Sequence, residues 1–149
     1  MATGSSDAVS FPPSLTGRRL FLERPARWEF GEHVYKVRKL AGQEIGEIAF
    51  RNLNRCLSQA ELGIELYPGF RGQGFGPESI ELLLRELFDR YLLDRVYLRV
   101  REPNTQARRA YEKAGFRHVR TVRWPLVGVV RYLVMEITRG ECLARRGQS

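Results

Sequence analysis

Seven residues, Arg71-Gly72-Gln73-Gly74-Phe75-Gly76-Pro77, constrain this chain more than any others. They follow the apolar stretch Leu62 to Leu66 and precede a segment in which Ile80, Leu83, Leu84, Leu87, Phe88 and Tyr91 recur at helical spacing. A strand must therefore turn into a helix across three glycines. Glycine accepts positive φ at little cost and carries no Cβ, so the backbone N–H groups of such a turn can approach a ligand closely. The start of the helix adds unpaired N–H donors and the positive end of the macrodipole. Pro77 suits a first turn, because its missing N–H would have had no intrahelical partner. The run is suited to holding a pyrophosphate; read alone, it is equally a tight turn that binds nothing. Its spacing is not that of the dinucleotide-binding Gly-x-Gly-x-x-Gly turn, and no Gly-Lys-Ser/Thr follows, which excludes those two phosphate loops.

The residues around the loop read as a mixed sheet. Gln59 to Leu66 alternates, with Glu61, Gly63 and Glu65 on one face and Leu62, Ile64 and Leu66 on the other. Upstream, a short strand over Arg18 to Glu23 is interrupted by Pro25 and Gly31, and His33 to Leu40 and Glu44 to Leu53 form a hairpin around Ala41-Gly42-Gln43. Downstream, the helix is predicted over Pro77 to Leu92, and Arg95 to Val100 alternates until Pro103 ends it. Asn104 is a good N-cap for a short helix through Ala107, Ala110, Tyr111 and Ala114, which stops at Gly115. Phe116 to Arg123 and Val129 to Thr138 make two last strands around a turn at Trp124 to Gly128. The expected fold class is α/β, a mostly antiparallel sheet flanked by helices. Residues 1–17 read as a disordered leader, 18–138 as the domain and 139–149 as a C-terminal tail.

Bulk composition narrows the function classes. At 149 residues and 43% hydrophobic content, the chain is sized for one domain with one core. It holds no apolar run long enough to span a bilayer and no signal layout at its start, so a cytoplasmic location is expected. Cys56 and Cys142 lack metal spacing and read as free thiols, and no metal is expected. A net charge of +8 points to anionic partners: a phosphorylated cofactor, nucleic acid or an acidic protein. Yet 22 of the 25 basic residues are arginine, and they are scattered, a bias that genome composition alone can produce.

Two segments together resemble the GNAT superfamily of acyl-CoA-dependent N-acyltransferases. Leu66-Tyr67-Pro68 followed by Arg71-Gly72-Gln73-Gly74-Phe75-Gly76 is similar to that family's strand and pyrophosphate loop. Asn104-Thr105-Gln106-Ala107-Arg108-Arg109-Ala110-Tyr111-Glu112-Lys113-Ala114-Gly115-Phe116 is similar to its second signature helix. Ala60-Glu61-Leu62-Gly63 resembles the branch of ribosomal-protein N-terminal acetyltransferases. The resemblance spans roughly Arg18 to Ile137. It implies acetyl-CoA as the acyl donor, held by Arg71, Gly72, Gln73, Gly74, Phe75 and Gly76, and an amine-bearing acceptor, small molecule or protein.

The family position of Tyr111 implies a proton donor to the departing thiolate, and that of Leu66 implies a backbone N–H that polarises the acetyl carbonyl. Asn104 is read either as a contact to the pantetheine arm or as the N-cap. A neutral amine must form before attack, so a base is needed, and Glu61 and Glu65, sharing one strand face, are the available carboxylates. Family members carry two helices after the first strand. Here only Arg24 to Glu32 fill that place, too few for two helices. The resemblance thus implies an open acceptor face, completed by a second copy in a homodimer or by a large acceptor, with Trp28 and Phe30 capping the core or forming the interface. Two alternatives stay open: a fold of this kind using aminoacyl-tRNA as donor or acceptor, and a non-catalytic module that binds coenzyme A or a partner.

Overall fold

The computed structural model describes residues 19–24, 31–126 and 128–147. Four strands come first: β1 (Leu20–Glu23), β2 (His33–Lys39), β3 (Glu44–Asn54) and β4 (Gln59–Leu66). Helix α1 (Phe75–Arg85) runs into a π turn over Glu86–Arg90, and β5 (Arg95–Arg101), α2 (Thr105–Lys113), β6 (Arg117–Leu126), β7 (Gly128–Thr138) and α3 (Arg139–Arg146) follow. The strands form one seven-stranded sheet in the order β1-β2-β3-β4-β5-β7-β6. Every neighbouring pair is antiparallel except β4 with β5. That single parallel pair exists because α1 carries the chain across between the two strands, a connection a hairpin cannot make.

Register sorts the side chains into two faces. Leu20, Leu22, Tyr35, Val37, Ile48, Phe50, Leu62, Val96, Leu98, Met135 and Ile137 alternate onto one face and are buried. Helix α1 covers them, packing on β1, β3 and β4 and touching α2. Helix α3 joins the same layer, since Arg146 pairs with Asp89 at 3.1 Å and Arg139 donates to the Phe88 carbonyl. Each fully buried leucine there contributes roughly 2 kcal/mol. The opposite face carries Lys36, Glu47, Arg51, Glu61, Tyr97, Arg99 and Glu136, and among the described residues no helix lies over it.

Three sequence expectations shift. The helix predicted to Leu92 leaves α geometry at Glu86, where the wider π turn keeps Leu87 and Phe88 in the core while Glu86, also buried, pairs with Arg24 and Arg90 at 3.3 and 3.2 Å. The turn expected at Trp124 to Gly128 is mostly strand, with Trp124 opposite Val130 and Pro125 opposite Val129. Proline is tolerated because β6 is the sheet edge, where no ladder donor is missed. The stretch read as a tail is α3, started by a capping box: the Thr138 hydroxyl accepts from the Glu141 N–H, and Glu141 accepts from the Thr138 N–H. Residues 25–30, with Trp28 and Phe30, lie outside the described residues, as does the leader as far as Arg18.

Candidate functional site

The site begins where the parallel pair ends. Strands β4 and β5 are paired only over Gln59–Glu61 and Arg95–Tyr97, after which β4 stays with β3 while β5 stays with β7. The sheet forks beyond Glu61. Tyr67 N–H donates to the Ile45 carbonyl at 2.9 Å, and Gly46 stands opposite Leu66. In an antiparallel ladder this bracketing makes Leu66 the non-bonded partner, so its own N–H points away from β3 and into the fork. Gly46 permits the close approach, since a Cβ there would stand 2.4 Å from the Glu65 carbonyl oxygen.

Three segments wall a cleft of about 770 Å³ on the helical side of this fork: Ile64 to Leu66, the loop through Arg71, Gly72, Gly74 and Gly76, and the α2 stretch from Asn104 to Lys113. That volume lies in the range of sites for small ligands and cofactors. Gly72 and Gly74 sit at φ +72° and +83°, a backbone conformation L side chains rarely adopt. Gly74 is the N-cap of α1, without a side-chain cap, and the N–H groups from Arg71 to Gly76 make no hydrogen bond to the described residues. A row of backbone donors therefore faces solvent at a helix start, the arrangement that favours phosphate oxygens. Arg71, Arg109 and Lys113 make the lining predominantly cationic, with Glu65 the one acid.

Not every loop residue faces the cleft. The Phe75 ring is a core residue, 4.5 Å from the Arg19 guanidinium, so what this loop position can offer a ligand is its backbone N–H. The Gln73 side chain donates to the Gly69 carbonyl at 2.6 Å and braces the loop from outside. Arg71 donates from Nε to the Leu66 carbonyl at 2.9 Å, closing the turn between strand and loop. Arg19, just ahead of β1, bonds Glu78 through its backbone N–H at 2.7 Å and its Nε at 3.0 Å, which ties the sheet edge to the start of α1. Nothing in the sequence marked Arg19, since its partner lies 59 positions away.

Asn104 is the N-cap, accepting from the Ala107 N–H at 3.1 Å, and it also lines the cleft. The cap occupies its carbonyl oxygen, leaving the amide NH2 as a free donor, so the two readings do not compete for one atom. Tyr111 is the one buried residue of α2; its ring meets Phe116 edge-on at 6.2 Å while the side chain borders the cleft. Burial raises its pKa above the usual phenol value, and the Arg51 charge opposes that rise. The phenol keeps its proton at neutral pH. Gln106, Arg109 and Lys113, to which sequence reasoning gives no role, line the cleft with it, and their helical spacing from Tyr111's own segment is the signal that could have found them.

The two strand carboxylates separate. Glu65 is exposed and lines the cleft. Glu61 is only 2% exposed, although it lies on the sheet face without a helix. Arg99 bonds it through Nε at 3.0 Å and Nη2 at 3.3 Å, Asn52 donates at 2.9 Å, and Arg51 Nη2 lies 3.6 Å away. Three hydrogen bonds and a second guanidinium thus engage a carboxylate that has about four acceptor directions. The two candidate bases sharing this strand face thus differ in surroundings, because Glu61 is committed to an ion cluster at the crotch of the fork whereas Glu65 borders the cleft. Among the described residues, no group of three His, Cys, Asp or Glu side chains could hold a metal ion.

The family model described as Acetyltransferase (GNAT) domain matches residues 7–117. The chain belongs to the GNAT acetyltransferase family. Solved structures agree. The chain is similar to mutant forms of the spermidine/spermine N-acetyltransferase SpeG from Vibrio cholerae, at 25% identity and TM-score 0.71, covering 78% of this chain and 72% of that one. A structure of the Vibrio cholerae enzyme in complex with CoA and spermine matches at 25% identity and TM-score 0.70, over 76% of this chain and 69% of that one. A dodecameric structure of the same enzyme matches at 25% identity and TM-score 0.70, over 78% and 70%. This GNAT protein is thus an N-acetyltransferase, and its cleft is the place to look for acyl transfer.

Proposed function

We propose that this N-acetyltransferase moves an acetyl group from acetyl-CoA to a primary amine by direct attack, without a covalent enzyme intermediate. The observation that carries the reading is the row of unpaired N–H groups from Arg71 to Gly76 at the start of α1, opening on the same cleft as Tyr111. Its donors match the oxygens of a diphosphate, and Arg109 and Lys113 add positive charge. When bound, the thioester supplies an activated acetyl carbonyl and a thiolate leaving group. The chain's residues supply the rest. Leu66 directs its N–H into the fork, where it can donate to the acetyl oxygen as negative charge develops. Asn104 turns its spare amide toward the arm of the donor. Glu65, exposed beside that position, takes the amine's proton directly or through water, a task Glu61 is too enclosed to perform. Tyr111 gives its phenol proton to sulfur as the carbon–sulfur bond breaks.

Thiol release from acetyl-CoA, measured across a panel of polyamines, amino-acid amides, peptides with free N-termini and lysine peptides, tests this reading. Release with at least one amine, and none without protein, is the expected result. Tight acetyl-CoA binding with no release for any amine would overturn it in favour of a binding module.

A further inference from the structure

Past Glu61, the open face of the sheet carries opposite charges on the two arms of the fork. On the β4 arm, Glu65 stands directly opposite Glu47 of β3. Both are exposed, and neither has an ion pair or hydrogen bond among the described residues. Two like charges facing each other across a strand pair are unfavourable, and a cation placed between them relieves this. On the β5 arm, alternation puts Arg99 and Arg101 on the same open face, and the parallel register that pairs Glu61 with Tyr97 makes Glu65 level with Arg101. Arg99 is spent on Glu61, but Arg101 is exposed and has no ion pair among the described residues. Its carbonyl accepts from the Asn104 N–H at 2.9 Å, which anchors this end of β5 to the wall of the cleft.

Beside that arm lies a groove of about 470 Å³, with Tyr97, Val134 and Arg120 in its lining. A β-bulge brings Arg120 there. Arg117 and Arg120 stand opposite Glu136 and Val134, so both lie on the open face although they are three positions apart; strict alternation would send Arg120 to the other side. Arg117 is taken up by Glu141 at 3.0 Å, and Arg95, also in the groove, by Glu136 at 3.4 Å. Arg120 is exposed and has no ion pair among the described residues. The open face thus offers two free carboxylates on one side of the fork and two free guanidinium groups on the other.

We propose that the acceptor is a primary amine that also carries an anionic group, a carboxylate or a phosphate, and that Arg101 and Arg120 select it. This rests on the acetyl-transfer reading. With the donor in the cleft on the helical side, the amine reaches the acetyl carbon from the open face, the face to which Glu65 belongs. The amine sits by Glu65 and Glu47, and the anion lies over Val134 between Arg101 and Arg120. From the fork to the row of β7 is one and a half to two strand spacings, so amine and anion are separated by roughly 7–10 Å. A polyamine would satisfy the β4 arm and be repelled by the other, which makes the arginines a device against the wrong substrate as well as for the right one.

Thiol release from acetyl-CoA by the full-length protein, compared for the tripeptide amides alanyl-X-alanine with X glutamate, phosphoserine, glutamine or lysine and for spermidine, tests the inference. The glutamate or phosphoserine peptide is expected to exceed the lysine peptide in kcat/KM by about tenfold, with spermidine poorest, and the ratio should shrink as salt rises. Which of the two anionic peptides leads identifies the anion. The double variant Arg101→Glu, Arg120→Glu should invert the order; an order unchanged in that variant overturns the assignment of these two residues. In the wild-type protein, lysine peptide or spermidine matching or exceeding both anionic peptides overturns the inference with no variant needed. Binding of the same peptides without donor, followed by NMR shift titration, separates the two readings: the anionic peptides binding tightest with no release from any amine overturns acetyl transfer alone, whereas equal or undetectable binding of all the peptides overturns the anion seat.

Discussion

On the helical side of the fork, the loop from Arg71 to Gly76 is shaped by side chains that are missing; on the open side, Glu32, Arg51, Glu61 and Arg99 shape the sheet by filling one another's hydrogen-bonding positions. The loop leaves its backbone donors without a partner among the described residues and open to solvent, which gives a place for an anion. The ion cluster engages its buried carboxylate in three hydrogen bonds and two ion pairs, which stabilises the crotch of the fork. Open donors thus follow the end of β4, and engaged ones sit at the crotch of the fork. A polar residue near a site is informative only once its partners are counted.

Breaking the chemical side should give the largest effect. Tyr111→Phe keeps the ring contact with Phe116 but removes the proton, so kcat is expected to fall about a hundredfold or more with acetyl-CoA affinity little changed, as read by steady-state kinetics beside calorimetry. Equal turnover in the variant would remove its role as acid. Gly74→Val attacks the loop itself: a β-branched residue at φ +83° is strained, and a penalty of roughly 1–3 kcal/mol should weaken acetyl-CoA binding about ten- to a hundredfold. Retained affinity in a direct titration would refute the anion cradle.

The ion cluster answers differently. Glu61→Gln is expected to lower stability by about 2 kcal/mol in urea melts while leaving the pH dependence of turnover in place, whereas Glu65→Gln should leave stability nearly unchanged and depress the neutral-pH rate. A pH profile that moves with Glu61 instead would return the base to that position. The smallest effect belongs to His33, on β2, buried and stacked on Phe50 at 4.2 Å. Burial holds its pKa below the usual 6.5. The unfolded chain takes up a proton first as pH falls, so this residue removes stability below about pH 6.5, with a slope of at most ~1.4 kcal/mol per pH unit. His33→Phe should flatten the wild-type decline between neutral and mildly acidic pH; an identical decline would mean that His33 is protonated in the fold.

The sequence carried the loop, the strand before it and the short helix with Asn104 and Tyr111, because each depends on local rules: alternation, N-capping and the steric freedom of glycine. Strand β4 matches its expected limits, and Ile64 and Leu66 take the predicted face. Expectations went astray where a residue's state depends on distant partners. Alternation placed Glu61 on a polar face correctly, yet its burial comes from Arg99, which is 38 positions away. Phe75 sits in the middle of the loop motif, but packing beneath Arg19 takes its ring into the core.

By itself, then, the order of glycines, apolar repeats and capping residues determined a mixed sheet with a phosphate-sized turn at a helix start. Those features act over a few residues, where φ preference and side-chain period leave few choices. Only the folded chain decided that β4 and β5 part after Glu61, and that one glutamate is sealed and the other free. Such outcomes depend on which strands become neighbours, and pairing energy is shared among residues that no local pattern connects.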